Sequence, residues 1–160
     1  MPAASLTDIA PDFVSIAHRI VWCTVATVDP KGRPRTRILH PLWQWDEAAQ
    51  SLVGWIATSP DSPKGAHLAS TPLVSLTYWD PQHDVATCDA EASWHNDLDT
   101  KRWLWDAYLN APAPVGYDPS IVPAWTSPEV DGFGALRLDP TALRVIHALD
   151  FADASSWRRP

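Results

Sequence analysis

The order of apolar and polar positions divides the chain into many short extended segments and few helical ones. Residues 20–28 (IVWCTVATV) are rich in β-branched side chains and apolar on both faces, the pattern of a buried strand. Asp29-Pro30-Lys31-Gly32 carries Pro and Gly in type I turn positions, so the next strand, Arg33 to about Trp45, returns antiparallel. Ser51–Thr58, the LVSLTYW segment opened by Pro72, and Asp84–Trp94 supply three further strands. Two β-like segments, Gly134–Leu138 and Leu143–Leu149, split by Asp139-Pro140, close the chain. Helices are predicted over Pro11–Arg19 and over Pro63–Ala69, the latter with Ser62 as N-cap. A third follows Asn96 or Asp97, with Leu98, Trp105, Tyr108 and Leu109 at helical spacing and Asp99 and Asp106 outside. Residues 110–128 hold five Pro and one Gly and read as a long loop. Strands succeed one another without βαβ alternation. The expectation is therefore a mainly β fold with flanking helices, a small antiparallel barrel formed by one domain over residues 1–160.

Composition narrows the class. With 46% hydrophobic and 19% charged residues, the chain of 160 is not disordered and is long enough for a real core. No apolar run reaches the ~18 residues of a membrane span. The N-terminal MPAASLTDIAPDF has no basic residue before an apolar stretch, unlike a secretory signal. A cytoplasmic protein without membrane contact is expected. Cys23 and Cys88 are far apart, each within an apolar segment, and read as free core thiols.

The net charge of −7 speaks against nucleic-acid binding, but it is unevenly placed. Residues 1–79 contain six acids and six bases, whereas residues 80–160 contain 13 acids and six bases. Four of the first six bases crowd into one run, Lys31, Arg33, Arg35 and Arg37. On a strand, the period of two puts Arg33, Arg35 and Arg37 on one face, which suits either a solvated edge or an anion site. A second constellation, Thr58-Ser59-Pro60-Asp61-Ser62-Pro63-Lys64, feeds hydroxyls and a lysine into a helix start. Free N–H groups there attract phosphate, although Ser62 is equally readable as a plain cap. P-loop, dinucleotide-fold, nucleophile-elbow and HExxH motifs are absent, and the six His show no metal-ligand spacing. The ten Trp fit core and interface packing better than cofactor contact.

Taken together, these residues resemble the pyridoxamine 5′-phosphate oxidase-like family of FMN-binding split β-barrels. ATVDPKGRPRTRIL carries the family's G-x-P-x-x-R at Gly32, Pro34 and Arg37. TSPDSPKGAHLASTPLVSL matches its second pattern at Thr58, Ser62, Lys64, Leu68, Pro72, Val74, Ser75 and Leu76. ATCDAEASWHND, before the third helix, is a weaker third piece. The match spans roughly residues 11–110. It implies FMN held at a homodimer interface, with Arg37 and Lys64 on the phosphate and Ser62 as a hydroxyl donor. The backbone of Ile38 and Leu39, with Thr58, would line the flavin. No catalytic residue is implied, because the flavin itself accepts the electrons.

The departures concern the substrate. Pro63 stands where the oxidase proper has Arg between Ser and Lys, and Leu42 stands where it has its substrate-phosphate Lys. The Tyr/Arg/Ser set after the fifth strand and the C-terminal Arg-x-His are missing, since Tyr108 is followed by Asn110, Pro112 and Pro114 and the chain ends SSWRRP. Pyridoxamine phosphate is therefore not the expected substrate; a small planar or apolar molecule is. Near His147 or Ala148 many relatives place a Trp over the flavin, for which Trp125 or Trp157 would have to substitute. Three other readings remain open: a deazaflavin coenzyme whose longer anionic tail would use Arg33 and Arg35, a non-catalytic barrel sequestering flavin or haem, and a barrel without cofactor.

Overall fold

The computed structural model describes residues 4–160, so the first three residues of the N-terminal stretch considered above lie outside it. Its elements are α1 (Leu6–Ile20), β1 (Cys23–Val28), β2 (Pro34–Leu39), β3 (Leu42–Asp46), β4 (Ser51–Thr58), α2 (Pro63–Ser70), β5 (Leu73–Trp79), β6 (Val85–Trp94), α3 (Leu98–Asn110), β7 (Gly134–Ile146) and β8 (Ser155–Arg158). The strands form one antiparallel sheet in the order β2-β1-β5-β6-β7-β4-β3, with β8 added to β7.

The two ends of that order explain the architecture. β2 and β3 are opposite edges of the sheet, yet only His40 and Pro41 separate them in sequence. Three Cα steps reach at most about 11 Å, so the sheet must roll until its edges nearly meet. No ladder joins β2 to β3, and the barrel stays split along this seam. The expected strand from Arg33 to Trp45 is thus two strands. Pro41 has no N–H for a ladder, and the chain turns there from one edge to the other.

Three further boundaries differ from expectation. α1 begins at Leu6, not Pro11, because Ser5 and Asp8 form a capping box (Asp8 N–H to Ser5 Oγ 3.2 Å, Ser5 N–H to Asp8 Oδ2 3.0 Å), leaving Pro11 inside the helix. Asp139-Pro140 does not break β7. The register slips by one residue opposite Asp89/Ala90, and this bulge at Thr141 carries the proline through a 13-residue strand. The N-terminal half of β7 then pairs β4, while its C-terminal half pairs β8, which the alternation did not reveal in SSWR.

The core fills the barrel and is stoppered by α1, which buries Ile9, Phe13 and Ile16 on one stripe. Phe13 meets Trp43 and Tyr78 edge-on at 4.9 and 6.2 Å, and Trp43 Nε1–H donates to Tyr78 Oη at 2.8 Å. Cys23 and Cys88 are free and buried, as expected, and burial pushes the Cys23 thiol up to about 12. A second core lies outside the barrel, where α3 packs on β4 and β7. There Leu104 and Tyr108 face inward; Leu98 and Leu109 are exposed instead of contributing to the buried stripe. No helix among the described residues is long and apolar enough to cross a membrane.

Candidate functional site

Arg35 and Arg37 share one face of β2 and Arg33 lies just before the strand, but the three do not act together. Asp29, at the start of the β1–β2 turn, accepts from the guanidiniums of both Arg33 (2.8 Å) and Arg35 (3.2 Å) and from the Arg33 backbone N–H (3.0 Å). These donors hold its carboxyl far below the usual range, the backbone and side chain of Arg33 contributing most. Gly32, at φ +77°, makes the turn that brings this about. Arg37 is left without an ion-pair partner among the described residues. Its Nη1 donates to the Val25 carbonyl at 3.0 Å, and burial lowers its pKa.

Lys64 comes to the same place from α2. The helix starts at Pro63 with Ser62 at the N-cap position, yet the Ser62 hydroxyl accepts no backbone N–H. It donates instead to the Ser59 carbonyl (2.9 Å) and receives Lys64 Nζ, which also donates to Ser59 O at 3.2 Å. The first turn of α2 therefore keeps its N–H groups free of a side-chain cap. Gly65 allows the close approach of this turn to the preceding loop, since a Cβ there would lie 2.0 Å from the Pro60 carbonyl oxygen. His67, on the next turn, ties α2 to β1 through Thr27 Oγ1 at 2.8 Å. Lys64 is 8% exposed; burial and the nearby Arg37 charge bring its pKa down to about 8. The mostly buried Lys64 and the partly buried Arg37, neither paired with a carboxylate among the described residues, lie at an uncapped helix N-terminus, an arrangement suited to an anion.

Beside this corner lies a pocket of about 290 Å³ that contains Ile38, Leu39 and Thr58. All six residues singled out from the sequence thus fall on two adjoining features: Arg37, Ser62 and Lys64 at the cationic corner, the other three in the pocket. Apart from Trp125, the remaining walls escaped the sequence reading. His40, from the β2–β3 corner, is buried, and its Nε2 has no hydrogen-bond partner among the described residues. Tyr117, Ile121, Val122 and Trp125 come from the Pro-rich loop, which folds back over the pocket. The loop is held by Tyr117 N–H to Tyr108 O (3.0 Å) and by Trp125 Nε1–H to Gly132 O (2.9 Å). Only the count of aromatic residues and prolines hinted at this. Of the two Trp considered as flavin covers, Trp125 lines the pocket, whereas Trp157 packs on the barrel core from β8. His147 is engaged elsewhere, with Asp12 and Asp84.

Comparison with known proteins places this geometry. No curated protein matches the sequence significantly. Solved structures share its fold. A Clostridium acetobutylicum protein related to general stress protein 26 superimposes with a TM-score of 0.71 at 12% identity, covering 95% of both chains. A pyridoxamine 5′-phosphate oxidase-related, FMN-binding protein from Nostoc punctiforme gives 0.64 at 19% identity, covering 98% of this chain and 97% of that one. A heme-binding protein from Mycobacterium smegmatis gives 0.63 at 18%, covering 99% of this chain and 60% of that one. The model of the pyridoxamine 5′-phosphate oxidase family matches residues 10–147. With the split barrel, its seam and the matched stretch in agreement, the chain belongs to the pyridoxamine 5′-phosphate oxidase family.

Proposed function

We propose that the protein binds FMN at the β2–α2 corner and acts as a flavin-dependent oxidoreductase on a small uncharged molecule other than pyridoxamine phosphate. The observation that carries this is the pair of Lys64, mostly buried, and Arg37, partly buried, neither with a counter-ion among the described residues, adjoining an apolar pocket. A phosphate supplies the missing charge, and an isoalloxazine ring matches the apolar seat beside Ile38, Leu39 and Thr58. When bound, the flavin supplies the electron-accepting chemistry; the chain's residues bind and orient it and exclude water. The described relative from Nostoc punctiforme, named as FMN-binding, supports the same reading. A yellow purified protein with flavin absorption is expected, and a colourless one that takes up no added FMN would overturn the reading. A Soret band in its place would favour haem. Arg33 and Arg35, the residues that suggested a longer anionic cofactor tail, are already held by Asp29, and nothing in the site favours a deazaflavin coenzyme.

FMN affinity should then depend on Lys64 protonation. Its pKa near 8 in the free protein must rise when a phosphate binds, so binding takes up a proton at alkaline pH. Affinity is flat below this pKa and falls above it, by roughly tenfold per pH unit until the bound-state pKa is reached. Titration by quenching of flavin fluorescence between about pH 7 and pH 9.5 reads this, and Lys64→Met should flatten the profile.

We further propose a homodimer. The outer face of β1, β2 and β5 exposes Ile38 and Leu73 (59% and 52%), with Trp79 (55%) at its end. An apolar groove of about 370 Å³ runs between Val28, Pro34, Leu73 and Ser75 on this face. Such a surface beside the anion corner fits a second copy of the chain, which would close the flavin site. Leu73→Arg is expected to shift the sedimentation coefficient from dimer to monomer and to weaken FMN binding in parallel. An unchanged dimer would place the interface elsewhere.

A further inference from the structure

We propose that His147 is a protonation-dependent latch. As an imidazolium between Asp12 and Asp84 it holds the connection from β7 to β8 against α1 and the β5–β6 turn, and on losing its proton it lets that connection loosen. None of these residues lines the cationic corner or the pocket beside it, so the latch is independent of whether a flavin binds.

Three parts of the fold meet at this ring. His147 follows directly on β7, and both of its nitrogens face carboxylates: Nε2 that of Asp12 on α1 at 2.8 Å, Nδ1 that of Asp84 on the β5–β6 turn at 3.4 Å. Only the imidazolium carries an N–H on both nitrogens, whereas a neutral ring must turn a lone pair on one of the two carboxylates. The neighbouring charges cannot take its place. Arg19, also on α1, is committed to Asp80 and to Asp84 Oδ2 (2.7 Å), and Asp80 Oδ1 accepts the backbone N–H groups of Gln82 and Asp84 at 3.0 and 3.2 Å. Two cations therefore stand among three carboxylates, and deprotonation leaves Arg19 alone with all three. On the connection itself, Asp150 accepts the Ala152 N–H at 3.0 Å, and its negative charge adds to the same side of the balance.

The first half of the connection has little else to hold it. Ala148 and Leu149 lie at φ 47° and 60°, consecutive non-glycine residues in the left-handed region, which costs energy for any residue with a Cβ. Leu149 and Phe151 are 44% and 60% exposed, so apolar burial does not offset that cost. Polar contacts do. Ala148 N–H donates to Asp84 Oδ1 at 3.0 Å, Leu149 N–H to the His83 carbonyl at 3.2 Å, and Asp150 N–H to the His147 carbonyl at 2.7 Å. Asp84 Oδ1 thus serves the His147 ring and the strained backbone at once, and the charge on the ring acts where the turn is held. Firm anchoring resumes only at the buried Ala154 and at β8. The facing carboxylates raise the His147 pKa above its ordinary 6.5, the hydrogen bond to Asp12 contributing most. A raised value means that the closed latch binds the proton more tightly than the open one. Its contribution is therefore full below about pH 6.5 and lost as pH rises through the closed-state pKa. Loosening reaches the surface, because the His83 ring stands 6.0 Å from the exposed Trp79.

The test is amide hydrogen exchange of the full chain, followed by NMR from about pH 6 to about pH 9 and expressed as protection factors, which removes the intrinsic pH dependence of exchange. Protection of the Ala148 and Leu149 amides is expected to fall roughly two- to fivefold across this range, the effect of one exposed ion pair. The amide of Leu76, in the barrel core, should not change with it. His147→Gln should hold protection at the alkaline wild-type level at every pH, and His147→Arg, a permanent cation, should hold it at the acid level. Asp12→Asn should lower the pKa read from the His147 ring-proton shifts. These side chains are about half exposed, so the variants fold. Wild-type protection that is level with pH, or a fall that persists in His147→Gln, would overturn the proposal. So would a ring titration unmoved by Asp12→Asn. A parallel fall at Leu76 would do the same, because the change would then be one of global stability. If His147→Gln lowers protection by one factor at both pH 6 and pH 9, the ion pair is a fixed structural contact and not a latch.

Discussion

Replacing Arg37 and Lys64 together by alanine is expected to weaken FMN binding by about 3–6 kcal/mol, roughly 10²–10⁴-fold in Kd. Each charge-assisted contact to a phosphate is worth about 1.5–3 kcal/mol, and the two meet the same group. The stability of the ligand-free protein should move the other way or stay level. In the free state Lys64 is mostly buried and lies near the Arg37 charge, which is why it sits near 8. The compensating contacts of the pair are hydrogen bonds to Ser59, Ser62 and the Val25 carbonyl. Flavin-fluorescence titration and thermal unfolding of the same variant separate the two roles. Unchanged FMN affinity with a lowered unfolding midpoint would make these residues structural, and the anion corner would lose its assignment.

Tyr108→Ala should cost the most stability of any substitution considered, about 4–6 kcal/mol. Tyr108 is fully buried on α3, and loss of a buried aromatic ring costs about 3–5 kcal/mol by itself. Its one hydroxyl proton also serves two backbone carbonyls, chiefly that of His40 (2.6 Å) with Trp55 at 3.1 Å, and removing it leaves them short of a donor. Tyr108→Phe isolates this second contribution and should cost about 1–3 kcal/mol in denaturant unfolding. The site would feel both changes, because Tyr108 is the post between α3, the β2–β3 corner and the loop carrying Tyr117, whose ring lies 4.8 Å away. If Tyr108→Phe unfolds at wild-type denaturant concentration, α3 does not hold the corner in the way its contacts suggest.

Much of the barrel was legible in residue order because strand alternation is a local signal. β1, β4, β5 and β6 fall within about one to three residues of their expected spans, since each alternates or runs apolar over its whole length. The misses have local causes as well. Ser5 and Asp8 outweigh Pro11 in starting α1, and a bulge lets Pro140 remain inside β7. The third helix was found, but only part of its face: Trp105 and Tyr108 pack on the second core as expected, whereas Leu98 and Leu109 are exposed and packing on β4 and β7 buries Leu104 instead.

The site divides the same way. Arg37, Ser62 and Lys64 were visible because cations and hydroxyls at a strand end and helix start are recognisable without contacts. That Arg33 and Arg35 belong to Asp29, while Arg37 meets no carboxylate among the described residues, was not visible, because pairing depends on which side chain the turn presents. His40 and the loop residue Tyr117 carry no local mark at all, and Trp125 was marked only through the family resemblance. They become a pocket only when the sheet rolls and its edges meet at residues 40 and 41.

The sequence by itself therefore determined the β-rich class, the family resemblance and the cationic positions, all of which follow from periodicity and residue type over a few neighbours. Tertiary structure alone decided which cation stays uncompensated, how the buried helix face is completed and where the pocket lies. Those depend on distances between residues remote in sequence, such as Tyr108 and His40, and these distances exist only once the two edges of the sheet have been brought together.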